Sequence, residues 1–202
     1  MAKRGWTRRG ALAAAATGAV AACAQNVETP AYDGPVAFNH GVASGDPQAN
    51  KVIIWTRVSP QNPGAVPVRW IVARNRELSD VVKTGVFESN EARDYTVKVD
   101  VTGLRPGAPY FYGFRAGDGA SAVGKTRTLP NGRLNEVKFA VVSCASFPHG
   151  FFNAYEALAQ RDDLDAVVHL GDYIYEYGLA GYGGDVATQL GRIPSPEVEC
   201  IR

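Results

Sequence analysis

From Gly34 to about Arg133 apolar and polar positions alternate in short runs. "KVIIWTRV", "VPVRWIVAR", "DYTVKVDV", "APYFYGFRAG" and "SAVGKTRTL" are rich in β-branched and aromatic residues, the composition of strands. Turn-forming stretches, "SGDPQAN", "QNPG" and "RPGAP", lie between them. Short strands at this spacing predict a β-sandwich over residues 34–130. Within "GLRPGAPYFYGF", Tyr110 follows a Pro-Gly turn, where a tyrosine packs at a sandwich corner and hydrogen-bonds the backbone. Trp55 and Trp70 read as core residues rather than as a ligand platform.

The periodicity changes after "LPNGRLNE" (Leu129–Glu136), a polar stretch broken by Pro and Gly that marks a domain boundary. "VKFAVVSC" is a continuous apolar run of the kind a strand buried on both faces needs. "FFNAYEALAQRDD" sets Phe151, Phe152, Tyr155, Leu158 and Ala159 at helical spacing, and "LDAVVHLGD" is a second buried strand. Strand, helix, strand with a right-handed crossover predicts two parallel strands that end at one edge. Such an edge is where α/β proteins bind ligands. Cys144 closes the first strand and Asp172 the second, with Tyr173 and Tyr175 directly after it.

Composition narrows the field. The chain has 202 residues, 46% of them apolar, which is enough for one or two domains. No apolar run is long enough to cross a bilayer. A net charge of +1, from 21 basic and 20 acidic residues, supplies no field that would draw nucleic acid or a membrane surface.

The beginning of the chain reads as an export signal over residues 1–23, outside the fold. Lys3, Arg4, Arg8 and Arg9 precede an alanine-rich stretch. Thr7-Arg8-Arg9-Gly10-Ala11-Leu12 resembles the twin-arginine pattern, which sends folded proteins through the twin-arginine export machinery. Val20-Ala21-Ala22-Cys23 resembles a lipobox, in which Cys23 is lipidated and becomes the first mature residue. Cleavage by an ordinary signal peptidase, or retention as an attached helix, are the other readings. The expected location is periplasmic or extracellular, with a lipid anchor if Cys23 is modified. Cys144 and Cys200 are the two remaining cysteines, too few for a disulfide framework. Whether they pair stays open, and a thiol that persists in an oxidising compartment calls for a reason such as a metal.

A thiolate, a carboxylate and a phenolate at one edge form an electron-rich set suited to a strongly Lewis-acidic ion such as ferric iron. Mg²⁺ or Ca²⁺ alone would take oxygens only. Sites with two or more metals hydrolyse phosphate esters by holding the phosphoryl oxygens and turning bound water into hydroxide. The bland readings stand beside this one. A cysteine after an apolar strand is as a rule an inert core thiol, and an aspartate after His-Leu-Gly caps a turn. Tyr173 and Tyr177 read as packing or rim residues. Of the histidines, His40 belongs to the sandwich, His169 lies inside the strand, and His149, at a loop, is the one placed to face the site.

"VVSCASFPHGFFNAYEALAQRDDLDAVVHLGDYIYEYG" resembles the opening of the catalytic domain in the alkaline phosphatase D family of metallophosphoesterases, with its Ser-Cys pair and Gly-Asp-Tyr-Ile-Tyr-Glu motif. "FNHGVASGDPQANKVIIWTRVSP" is similar to that family's N-terminal sandwich, and the strand pattern looks like a fibronectin type III fold. The resemblance implies a mixed fold. An all-β, fibronectin III-like sandwich would be followed, over 137–202, by the first βαβ part of an α/β metallophosphoesterase domain, elsewhere a four-layer α/β-β/α sandwich.

The same resemblance implies that Cys144 and Tyr175 ligate ferric iron and that the catalytic Asp172 bridges iron and calcium. Substrates would be phosphomonoesters or phosphodiesters. The family completes its site with further Asn, Asp and His residues, including an Asp-Asp-His-Glu stretch, which this sequence does not contain. The expectation is therefore an N-terminal portion that is inactive by itself. The alternative is a non-catalytic secreted binding module carrying a degenerate phosphatase remnant.

Overall fold

A period of two governs the first long strand: Val52, Ile54, Thr56 and Val58 are fully buried, while Lys51, Ile53, Trp55 and Arg57 between them are half-buried. The computed structural model describes residues 32–193, so Arg8, Arg9, Cys23 and Cys200 lie outside the described residues. In chain order the strands are β1 (Val36–Ala37), β2 (Val42–Gly45), β3 (Lys51–Arg57), β4 (Ser59–Pro60), β5 (Val66–Ala73), β6 (Val81–Ser89) and β7 (Thr96–Thr102). They continue with β8 (Pro109–Ala116), β9 (Gly119–Ala120), β10 (Gly124–Arg127) and β11 (Phe139–Val142); then come α1 (Asn153–Ala159), β12 (Ala166–His169) and α2 (Gly184–Leu190). The sheets are β2-β3-β7, β10-β8-β5-β6 with β9 on β8, and the pairs β1-β4 and β11-β12.

Two compact units can be distinguished. The first gathers the described residues up to Val42, Trp55–Val97 and Phe111–Gly124. Its centre is β5, an interior strand with β6 and β8 antiparallel on its two edges. Val66, Val68, Val72 and Ala73 are fully buried there. Trp70 faces Gly85 across the β5–β6 pair, and a Cβ on Gly85 would stand 2.7 Å from the indole. That close approach is why the longest strand carries a glycine at its middle. Trp70 and Trp55 are half-buried rather than core: Trp55 lies on the less covered face of β3, whereas Trp70 shares its face of β5 with the buried Val68 and Val72. β6 itself was not among the strands read from the pattern, because Lys83, Thr84 and Gly85 interrupt its apolar alternation.

The second unit gathers Ala43–Ile54, Lys98–Tyr110 and the chain from Lys125 onward. Tyr110 is 3% exposed, and its hydroxyl accepts the Arg105 backbone N–H at 2.9 Å, the corner contact that its position after the turn predicts. Thr128 completes that corner by donating to the Arg105 carbonyl at 2.6 Å. β11 and β12 pair in parallel, with Phe139 opposite Ala166 and Val142 opposite His169. Ion pairs from Lys125 to Asp162 (3.1 Å) and from Arg127 to Asp165 (3.3 Å) hold the turn that leads into β12.

Two expectations change here. Burial of both strand faces is not met within the described residues: Ala140 is buried, but Phe139, Val141 and Val167 are 58%, 62% and 57% exposed. The helix is also shorter than its periodic run. Phe152 takes a left-handed backbone (φ 56°), so α1 starts at Asn153, and Phe151 and Phe152 fall in the loop before it.

Candidate metal centre

Both parallel strands end in a backbone conformation that side chains disfavour. Two residues beyond β11, Cys144 has φ 63°, and three beyond β12, Asp172 has φ 52° directly after Gly171 at φ 115°. Non-glycine residues in this region are strained and cluster at functional positions. Backbone hydrogen bonds fix the two turns against each other: the Cys144 N–H donates to the Gly171 carbonyl (3.2 Å) and the Ala145 N–H to the Asp172 carbonyl (2.8 Å). The left-handed turns aim both side chains into the same space.

There the thiol of Cys144 donates to Asp172 Oδ2 at 3.5 Å, and the phenol of Tyr175 donates to the same oxygen at 3.3 Å. Ser143 Oγ lies 3.3 Å from the Cys144 sulfur. Tyr175 is held well above the usual phenol range, chiefly by its hydrogen bond with Cys144, then by loss of water and by the Asp172 charge. The phenol is therefore protonated at neutral pH.

The structure thus brings together all three residues read as ligands, Cys144, Asp172 and Tyr175. Among the described residues no three of His, Cys, Asp and Glu gather in one place, and the third polar atom beside Cys144 and Asp172 is the Tyr175 phenol oxygen. Sulfur and two kinds of oxygen converging on one point fit a Lewis-acidic metal ion as a donor set. Cys144 is exposed and free, not the inert core thiol of the bland reading.

A cleft of about 500 Å³ opens beside these donors, lined by Cys144, Ser146, His149, Phe152, Tyr155 and Tyr182 among others, with Tyr175 in its wall. His149 sits in a one-turn 3-10 helix, Phe147–His149, where Ser146 Oγ meets its Nδ1 at 2.6 Å and the Tyr182 ring lies 4.8 Å away. Gly183 has no room for a side chain, since a Cβ would stand 2.4 Å from the His149 ring. The Arg192 guanidinium covers Phe147 at 3.9 Å and Phe151 at 4.8 Å while its Nε donates to the Phe147 carbonyl at 2.7 Å. The segment through α2 thereby holds the loop that forms the cleft wall.

Tyr173 and Tyr177 do not line the cleft. Tyr173 is 71% exposed and meets His169 edge-on at 5.1 Å, and Tyr177 lies 5.8 Å from the ring of Tyr182 in the cleft wall. The pattern of residues had not singled out Tyr182 or α2. The available signal was local: "GGDVATQLG" places Gly191 at the helix end, where it adopts a left-handed cap (φ 65°).

The family model described as "PhoD-like phosphatase, N-terminal domain" matches residues 22–130, and the one described as "PhoD-like phosphatase" matches residues 139–201. Alkaline phosphatase D of Bacillus subtilis (strain 168) is 43% identical over 154 residues, covering 72% of this chain and 26% of that protein. The solved structure of PhoD aligns with a TM-score of 0.64 and 41% identity, covering 68% of this chain and 28% of that one. The chain spans about a quarter of the length of the relatives it matches.

Proposed function

The chain belongs to the PhoD-like phosphatase family, and from that premise we propose that it is the N-terminal part of an exported phosphatase or phosphodiesterase whose reaction centre is built on Asp172. The observation that carries this is the meeting of a thiol and a phenol on the single oxygen Asp172 Oδ2, at the shared edge of two parallel strands. Cys144, Asp172 and Tyr175 would hold ferric iron, with Asp172 shared with calcium. When bound, the metals supply polarisation of the phosphoryl oxygens and a hydroxide-generating water.

The protein residues prepare this. Cys144 and Tyr175 would each give up a proton to serve as anionic donors, so metal uptake would release protons and tighten as pH rises. Asp172 is the carboxylate that takes both hydrogen bonds before loading and so fixes the two donors in place. The aromatic wall of Phe152, Tyr155 and Tyr182 narrows the water around a phosphate ester in the cleft, and His149 presents a ring from the loop side. The fibronectin III-like reading of residues 34–130 draws support from the antiparallel sheets and the Tyr110 corner.

Among the described residues three donors would serve an ion that takes about six, so these residues by themselves would bind such a metal weakly and turn over no phosphate ester. The test uses a full-length protein that contains this segment, assayed on p-nitrophenyl phosphate and bis-p-nitrophenyl phosphate. Turnover that falls by orders of magnitude in Asp172→Asn supports the reading, and a fully active Asn variant refutes it. Export rests on Arg8 and Arg9. A tagged protein with both changed to lysine should stay in the cytoplasm, and undiminished export of that variant would end the twin-arginine reading.

A further inference from the structure

His169 was set aside as a strand residue, and Tyr155 as one position of a helical stripe. In the structure their polar atoms form a chain that joins both halves of the reaction centre. The Gly171 N–H donates to His169 Nδ1 at 3.3 Å, so Nδ1 carries no proton and the ring proton sits on Nε2. Nε2 lies 3.0 Å from the Tyr155 hydroxyl, which therefore accepts from it. The Tyr155 hydrogen is then free to donate, and the carbonyls of Ser143 and Cys144 both lie 3.4 Å away. Every donor and acceptor agrees in direction: Gly171 N–H to His169, His169 to Tyr155, Tyr155 to the Ser143 and Cys144 backbone.

The geometry points to Tyr155 and His169 as positioning residues that lock the Cys144 turn to the Asp172 turn. One end of the chain grips Gly171, the residue before Asp172, and the other grips the carbonyl of Cys144 itself. Both turns hold left-handed backbone that will relax unless the surroundings fix it. The rings add rigidity, with Tyr155 and His169 nearly parallel at 15° and Tyr173 edge-on to His169. Tyr155 projects from α1, so the helix between the strands acts on the site through this hydroxyl. This role rests on the proposed site as the thing being positioned, yet it is readable without metal or turnover.

The test uses the full chain labelled for NMR. Imidazole nitrogen shifts should show His169 with its proton on Nε2; a proton on Nδ1, or on both nitrogens, overturns the proposal. In Tyr155→Phe, which keeps the ring and removes the hydroxyl, amide exchange at Cys144 and Ala145 should rise about tenfold or more while the core amides of Val68 and Val72 are unchanged. His169→Gln, whose amide N–H extends toward Tyr155, should retain more protection at those two amides than His169→Leu. Unchanged exchange at Cys144 and Ala145 in Tyr155→Phe, or an equal rise at Val68 and Val72, overturns the positioning role. A full-length protein that proves inactive while these amides stay protected sinks the phosphatase reading and leaves this one standing.

Discussion

Cys144 and Asp172 stand 28 positions apart in the chain and meet thiol to carboxylate at 3.5 Å, each held in a left-handed turn just past the end of its strand. Parallel pairing explains the meeting. Val142 and His169 are partners in the β11–β12 register, so the residues that follow them leave the sheet side by side. The same relationship predicts how the site responds to change.

Replacing Asp172 by asparagine removes the anionic acceptor and leaves an amide in its place. Ferric iron and calcium affinity in a full-length protein carrying this segment should fall by roughly 100-fold or more, as measured by equilibrium dialysis against a chelator. Calorimetry in buffers of different ionisation enthalpy should show proton release on loading, smaller in Tyr175→Phe by about one proton. Equal release in the two proteins would show that the phenol is not a ligand.

The Tyr175 phenol should resist titration. Its folded value lies above the unfolded one, so the stability it contributes is fully present below the ordinary phenol value of 10.0 and is lost as pH rises through the folded value. The largest cause is the Cys144 hydrogen bond, so Cys144→Ala should bring the titration down toward the ordinary range. A tyrosine carbon resonance followed by NMR in the metal-free chain reads this directly. A Tyr175 that titrates like the other tyrosines contradicts the geometry.

Backbone strain at Cys144 separates two substitutions that both delete the sulfur. At φ 63° an alanine keeps the unfavourable Cβ contact and a glycine does not, so Cys144→Gly should be the more stable variant by about 1 kcal/mol. Urea melts of the two proteins decide it. An alanine variant as stable as the glycine one would mean that the turn is not left-handed in solution.

Gly85→Ala tests the other unit. The added Cβ stands 2.7 Å from the Trp70 ring, which has no flexible end to swing away, so the variant should lose about 1–3 kcal/mol. Trp70 should also become more exposed, seen as a red shift of fluorescence. Wild-type stability and an unshifted spectrum would place Trp70 elsewhere.

Much of this was legible in the sequence, and the physics says why. β3, β5, β7 and β8 follow alternation or unbroken β-branched runs, and the two parallel strands follow from apolar runs on either side of a helical period. Cys144 and Asp172 could be placed at one edge because strand ends follow local pattern, whereas the choice of Tyr175 over Tyr173 came from the family resemblance and not from the pattern. What stayed hidden depends on partners distant in sequence. The late start of the helix, after Phe152, is a backbone choice made by the loop before α1, and β6 is hidden because Gly85 serves Trp70 on another strand. The exposure of Phe139, Val141 and Val167 cannot be read from an apolar run, which reports only the preference of a strand and not what covers it.

The single oxygen Asp172 Oδ2, shared by a thiol and a phenol, makes the two donors interdependent in inheritance as well as in chemistry. A mutation at Cys144 changes what Tyr175 leans on, and the reverse holds, so their effects should combine with sign and size that neither shows alone. Where both serve the proposed centre, loss of either removes part of what the other does there. The second should then drift freely, and copies of this segment should carry both donors or neither.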